Sequence, residues 1–111
     1  MGNKDYLGKI IKIKMDRQFG TKHPKHGFIY PVNYGYVEGI IAADGEEQDA
    51  YILGVNKPIK EFTGKVIAVI HRFDDVEEKL VVVPTDVSLT KEEIKRQVDF
   101  QEHFFKTEIK M

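Results

Sequence analysis

The sequence predicts an α+β domain that is mainly β: a small closed or partly open barrel of about five or six short strands, with one C-terminal helix. Three observations carry this. Strand-like apolar and β-branched runs recur between residues 9 and 84, separated by Gly-, Pro- and acid-rich turns. Gly35 and Gly39 fall inside an aromatic run and suggest bulges or bends of a strongly curved strand. After Ser88 the hydrophobic period becomes helical. Short curved strands favour closure, and the helix would cover an open side.

The elements follow in order. From Lys9 to Asp16, Ile11, Ile13 and Met15 face one way and Lys12, Lys14 and Asp16 the other, as in a half-buried strand. "TKHPKHG" is a polar loop, and "FIYPVNYGYVEGIIAA" is the long curved strand. Asp44-Gly45 signals a turn, with "AYILGV" as the return strand. "NKPIKEFTG" reads as a loop, "KVIAVIHRF" as a strand, "DDVEEK" as a turn and "LVVVPT" as a strand. The last segment opens on Thr90 as N-cap, with Glu93 completing a capping box. Ile94, Val98, Gln101 and Phe105 then follow helical spacing, and Phe104 widens the stripe.

With 111 residues, the chain fits one domain, residues 1–111, with one modest core. Its 17 basic and 18 acidic residues give a net charge of −1, which supplies no global field to draw in nucleic acid. The absence of cysteine excludes disulfides and thiolate metal sites. No apolar stretch is long enough to span a membrane, and the N-terminus lacks a signal-peptide pattern. Tyr6 stands where a myristoylation signal needs Ser or Thr. A cytoplasmic protein is the expectation.

Four acids fall within six residues on the first hairpin: Asp44, Glu46, Glu47 and Asp49. They fit a solvated turn. They also fit one wall of a site for Mg²⁺, with Mn²⁺ as a substitute, because hard cations take oxygen ligands. A second acidic turn, Asp74, Asp75, Glu77 and Glu78 followed by Lys79, would lie at the same barrel end in a meander. Lys12, Lys14, Lys22 and Lys25 supply cations, and Tyr30 and Tyr34 share a strand side. Carboxylates that hold metal, beside lysines and tyrosines that hold phosphate oxygens, suit phosphoryl transfer. A zinc site built from His23, His26 and His71 would rest on a spacing inside a Pro-containing loop and lacks a fourth ligand, and His103 reads as a surface or cap residue.

Together, "YPVNYGYV", "DGEEQDAYI" and "EEKLVVVP" resemble the family I soluble inorganic pyrophosphatases, from about Lys12 to Pro84. The resemblance implies a five-stranded barrel of OB type with a helix, and Mg²⁺-dependent hydrolysis of pyrophosphate to two phosphates. It also implies self-association. By that similarity Asp44, Glu46 and Asp49 take the three signature aspartate positions, Asp49 as a shared metal ligand and Glu46 as general base. Glu77 matches a metal-binding aspartate, Lys79 the active-site lysine, Tyr30 and Tyr34 active-site tyrosines, Asn33 a supporting residue and Lys12 a phosphate-contacting lysine. Lys22 or Lys25 would replace the family's arginine, and Phe105-Lys106 its C-terminal Tyr-Lys pair, with Lys106 on substrate.

There are departures. Glu46 and Glu77 stand where the family has Asp, and Lys14 where it usually has Glu. Arg72 takes the place of another metal-binding Asp in an ungapped alignment, and Asp74 or Asp75 would serve instead if the turn is shifted. The pocket is expected to reach charge balance only with metal and anion bound. The rival readings are a phosphate- or nucleotide-binding protein without turnover, a single-strand nucleic-acid module, and a hydrolase for another phosphoanhydride.

Overall fold

A computed structural model describes residues 6–42, 45–73 and 77–111. It contains β1 (Ile10–Arg17), β2 (Asn33–Ile41), β3 (Glu47–Ile52), β4 (Glu61–Arg72), β5 (Glu78–Val83), α1 (Lys91–Glu102) and β6 (Thr107–Lys110). The sheet order is β1-β2-β3-β5-β4-β6, and an additional β1–β4 pairing closes the first five strands into a barrel. Closure is possible because β4 is 12 residues long and divides its partners. Its first half pairs with β1 (Ile13↔Phe62), its last residues with β6 (Ile70↔Ile109).

Asp44, Asp74 and Asp75 lie outside the described residues. The topology is not a simple meander: β3 and β5 run parallel, Ala50 opposite Leu80. Parallel neighbours begin at the same end, so β3 and β5 start there together, at Glu47 and Glu78.

Two apolar clusters account for the core. Ile13, Val37, Ala50, Ile52, Val66, Leu80 and Val82, drawn from all five barrel strands, pack inside the barrel. Tyr51, Ala68, Ile70, Val81 and Val83, on the outer face, pack with Ile94 and Val98 of α1. The "LVVV" run of β5 is therefore buried on both faces, which is why it is apolar without alternation. Thr90 caps α1 with both capping-box hydrogen bonds formed.

Gly35 marks a close backbone approach. A Cβ there would lie 2.1 Å from the Lys14 carbonyl oxygen. Gly39, at φ +85°, sits in the β2–β3 register shift between Val37 and Ile41, a bulge that needs glycine's left-handed backbone.

Three boundaries differ from expectation. The long aromatic strand begins at Asn33, so Tyr30 belongs to the preceding loop. β4 begins at Glu61, inside the segment read as a loop, because β1 offers it a partner edge. The helix ends at Glu102, and Phe104 and Phe105 lie beyond it and exposed. The chain then returns as β6, taking the part of the β4 edge that β1 leaves open.

Candidate active site

β5 and its approach place Glu77 and Lys79 two residues apart, on one side of the strand direction. β3 brings Asp49 beside them through its parallel pairing with β5. The Lys79 ammonium, with only 4% of its side chain exposed, lies 2.5 Å from Asp49 Oδ2 and 3.0 Å from Glu77 Oε1. Burying an ammonium is tolerable only with such partners.

Arg72, at the end of β4, continues the chain of charges. Its Nη1 donates to Glu77 Oε2 at 2.6 Å, and its Nε and Nη2 donate to Glu102 Oε1 and Oε2 at 2.9 and 2.6 Å. The guanidinium lies over the Phe105 ring, 3.8 Å from its centroid. Burial works against its charge, but the hydrogen bonds and charge of Glu102 outweigh that and hold its pKa above the ordinary value. Glu102, the last residue of α1, also accepts from the Tyr51 hydroxyl at 2.5 Å. Gln101 donates to Tyr51 at 2.6 Å and accepts from Tyr30 at 2.9 Å. The helix is thereby tied to the barrel through polar groups.

The Tyr34 ring lies tilted 5.9 Å from Tyr30 and edge-on 5.0 Å from Tyr51, and Lys79 Nζ lies 5.5 Å from its centroid. Burial, then the Asp49 charge and their hydrogen bond, raises its pKa well above the usual value. Tyr34 is thus a neutral donor at any physiological pH. Asn33 is fully buried, accepting from Phe19 N–H and donating to the Lys57 carbonyl at 2.9 Å each.

A cavity of about 540 Å³ opens here. Five predicted site residues line it: Tyr30, Tyr34, Asp49, Glu77 and Lys79. Others do not. Lys12 is exposed and pairs with Glu61 at 3.4 Å, and Lys14 pairs with Glu38. Lys22, Lys25, Lys106 and Glu46 are exposed and off the cavity wall. Asp49 stands opposite Tyr36 in the β2–β3 ladder.

Sequence reasoning did not place Arg17, Asp16, Gln101, His23 or His26 in this cavity, nor Arg72 as one of its cations. Arg17 shares the parity of Ile13 and Met15, a signal that would have turned it inward, but a register shift follows Met15. His23 and His26 lie with ring centroids 4.8 Å apart, and His26 stacks on Phe104 at 5.1 Å. Burial, then the His26, Arg17 and Lys25 charges, lowers the His23 pKa. Among the described lining residues, Asp16, Asp49 and Glu77 face Arg17, Arg72 and Lys79, three charges against three. The expected balance with metal and anion bound also counts Asp44, Asp74 and Asp75, which lie outside the described residues.

A small closed OB-like barrel carrying an acid-and-cation cavity beside the end of its helix is the class that fold and site define. The inorganic pyrophosphatase family model matches residues 7–110, and the chain belongs to that family. It is similar to an inorganic pyrophosphatase of Halalkalibacterium halodurans, 35% identical over an 88-residue alignment that covers 70% of this chain and 54% of that protein. The chain thus spans about half the length of that curated relative. Its fold is similar to that of the crystal structure of inorganic pyrophosphatase from Ehrlichia chaffeensis, with TM-score 0.72 and 15% identity, covering 94% of this chain and 86% of the other. It is also similar to that from Neisseria gonorrhoeae, with TM-score 0.64 and 22% identity, covering 93% and 76%.

Proposed function

We propose that the chain hydrolyses inorganic pyrophosphate to two phosphates with the help of Mg²⁺. The observation that carries this is Lys79, buried between Asp49 and Glu77 on the wall of a cavity that also presents Arg17, Tyr30 and Tyr34. Family membership and the curated relative support the same reading.

The donor chemistry fits a hard divalent ion in part. Asp49 turns a carboxylate to the cavity, and Mg²⁺ commonly takes one or two carboxylates, substrate phosphate and water. Both oxygens of Glu77 are already held by Lys79 and Arg72. No group of three or more His, Asp or Glu encloses an ion site among the described residues. A bound ion would supply an acidified water and polarise the phosphoryl oxygens. Asp49 would hold it, with Asp44 and either Asp74 or Asp75 as the remaining proposed ligands.

The chain's own groups do the rest. Lys79 and Arg17 neutralise charge on the phosphate oxygens and leaving group. The Tyr30 and Tyr34 hydroxyls bond Gln101 and Asp49 and so hold the cavity wall in shape around the anion. Of the two carboxylates expected to be catalytic, Asp49 lines the cavity and Glu46 is exposed outside it. Lys12, Lys22, Lys25 and Lys106 would act only at the approach, guiding anions from the surface. The reading extends to a cytoplasmic, self-associating protein. No helix among the described residues is long and apolar enough to cross a membrane.

A second reading is a phosphoanhydride that carries an organic group, bound or hydrolysed. It is favoured by the aromatic part of the wall, His23, His26 and Phe104. Phosphate release measured across pyrophosphate, triphosphate and nucleotides, with and without Mg²⁺, separates the two. Release from pyrophosphate alone supports the first, release from nucleotides alone the second. No release from any substrate with Mg²⁺ or Mn²⁺ sinks both as enzymes.

A further inference from the structure

We propose that the Arg72 guanidinium is a built-in cation of this cavity, doing for Glu77 what a divalent ion would otherwise do, so that the site takes one ion fewer than its carboxylates would call for. The proposal rests on the metal-assisted reading above, and its test does not depend on turnover.

Two observations carry it. First, the guanidinium is placed as a bridging ion would be. It spans two carboxylates from different elements, Glu77 at 2.6 Å and Glu102 at 2.6 and 2.9 Å. Glu77 is left with no oxygen that lacks a cation, since Lys79 takes the other at 3.0 Å. Second, Arg72 is not free to swing away. It is only 5% exposed, forked onto Glu102, and covered by the Phe105 ring at 3.8 Å, while Tyr51 holds Glu102 from behind at 2.5 Å. A planar, permanently charged, bidentate group held in this way is preorganised and needs no occupancy equilibrium.

A structural brace between β4 and α1 accounts for the Glu102 contacts. It does not account for the third contact, to the cavity carboxylate Glu77, nor for the place of Arg72 among the cavity-lining residues.

The test counts Mn²⁺ ions bound per chain, by titration calorimetry and by the electron paramagnetic resonance signal of free Mn²⁺, in wild type, Arg72→Lys and Arg72→Asp, without substrate. The account expects Arg72→Lys to keep the wild-type number and Arg72→Asp to bind one more ion. Melting should follow. Wild type and Arg72→Lys should shift by the same amount on adding Mn²⁺, whereas Arg72→Asp should gain about 10 °C more when Mn²⁺ is a hundredfold above its Kd. If Arg72→Asp folds only with Mn²⁺, that dependence supports the same conclusion. An equal ion count in all three proteins overturns the proposal. So does an Arg72→Asp chain that is unfolded with and without Mn²⁺, because the arginine would then serve the fold alone. Failure of pyrophosphate hydrolysis in wild type would instead strike the proposed function and leave the ion count standing.

Discussion

Lys79 and Asp49 meet at 2.5 Å across the parallel β3–β5 pair, with the ammonium almost wholly buried. The parallel register, with Ala50 opposite Leu80, is what sets the two side by side. Lys79→Met keeps much of the stem but leaves Asp49 and Glu77 without their shared ammonium. The expected result is a loss of phosphate release by about a hundredfold or more, the scale of removing one preorganised electrostatic group. Steady-state kinetics at saturating Mg²⁺ checks it.

Glu102 tests the brace rather than the chemistry. Glu102→Ala strands a buried guanidinium and removes the acceptor of Tyr51. Breaking a buried pair from one side costs about 3–5 kcal/mol. Urea unfolding should show a loss in that range, and an effect near zero would mean that the pair is not formed in solution.

Gly35→Ala puts a Cβ 2.1 Å from the Lys14 carbonyl oxygen, where backbone rather than a flexible side chain stands in the way. β1 and β2 would have to separate. A cost above about 3 kcal/mol or a failure to fold is expected, since overpacking alone costs about 1–3 kcal/mol. A thermal melt of the variant decides it.

The helix cap gives a pH-dependent prediction. The Thr90 backbone N–H and hydroxyl hydrogen-bond Glu93 and hold its pKa below the ordinary glutamate value. A lowered folded-state pKa adds stability that is full above the unfolded value near 4.5 and is lost as pH falls through the lower, folded one. Thr90→Ala should cost about 1 kcal/mol at pH 7. The gap between variant and wild type should narrow below pH 4.5 as Glu93 is protonated. A gap that is constant with pH would remove Glu93 from the cap.

Much of this site could be read from residue order. Tyr30, Tyr34, Asp49, Glu77 and Lys79 stood in one motif sequence, and the barrel gathers all five. The lysines of β1 were harder. Alternation places Lys12 and Lys14 on the polar face, and they do lie there, paired with Glu61 and Glu38. Periodicity tells inside from outside; it does not tell which part of the outside a closed barrel turns toward its cavity. Arg72 was visible only as a cation where an acid was expected, because its partner Glu102 is 30 residues away on another element. The C-terminal strand was hidden because Phe104 and Phe105 prolong the helical apolar spacing past its true end at Glu102. What ended the helix was the open edge of β4, a tertiary fact.

The most direct measurement is phosphate release from pyrophosphate with Mg²⁺ by wild type and Asp49→Asn, with folding of both verified by thermal melting. The account predicts two phosphates per pyrophosphate from wild type and a loss of about a hundredfold or more in a folded Asp49→Asn. Folded wild type that releases no phosphate with Mg²⁺ or Mn²⁺, or an Asp49→Asn chain as active as wild type, would contradict it.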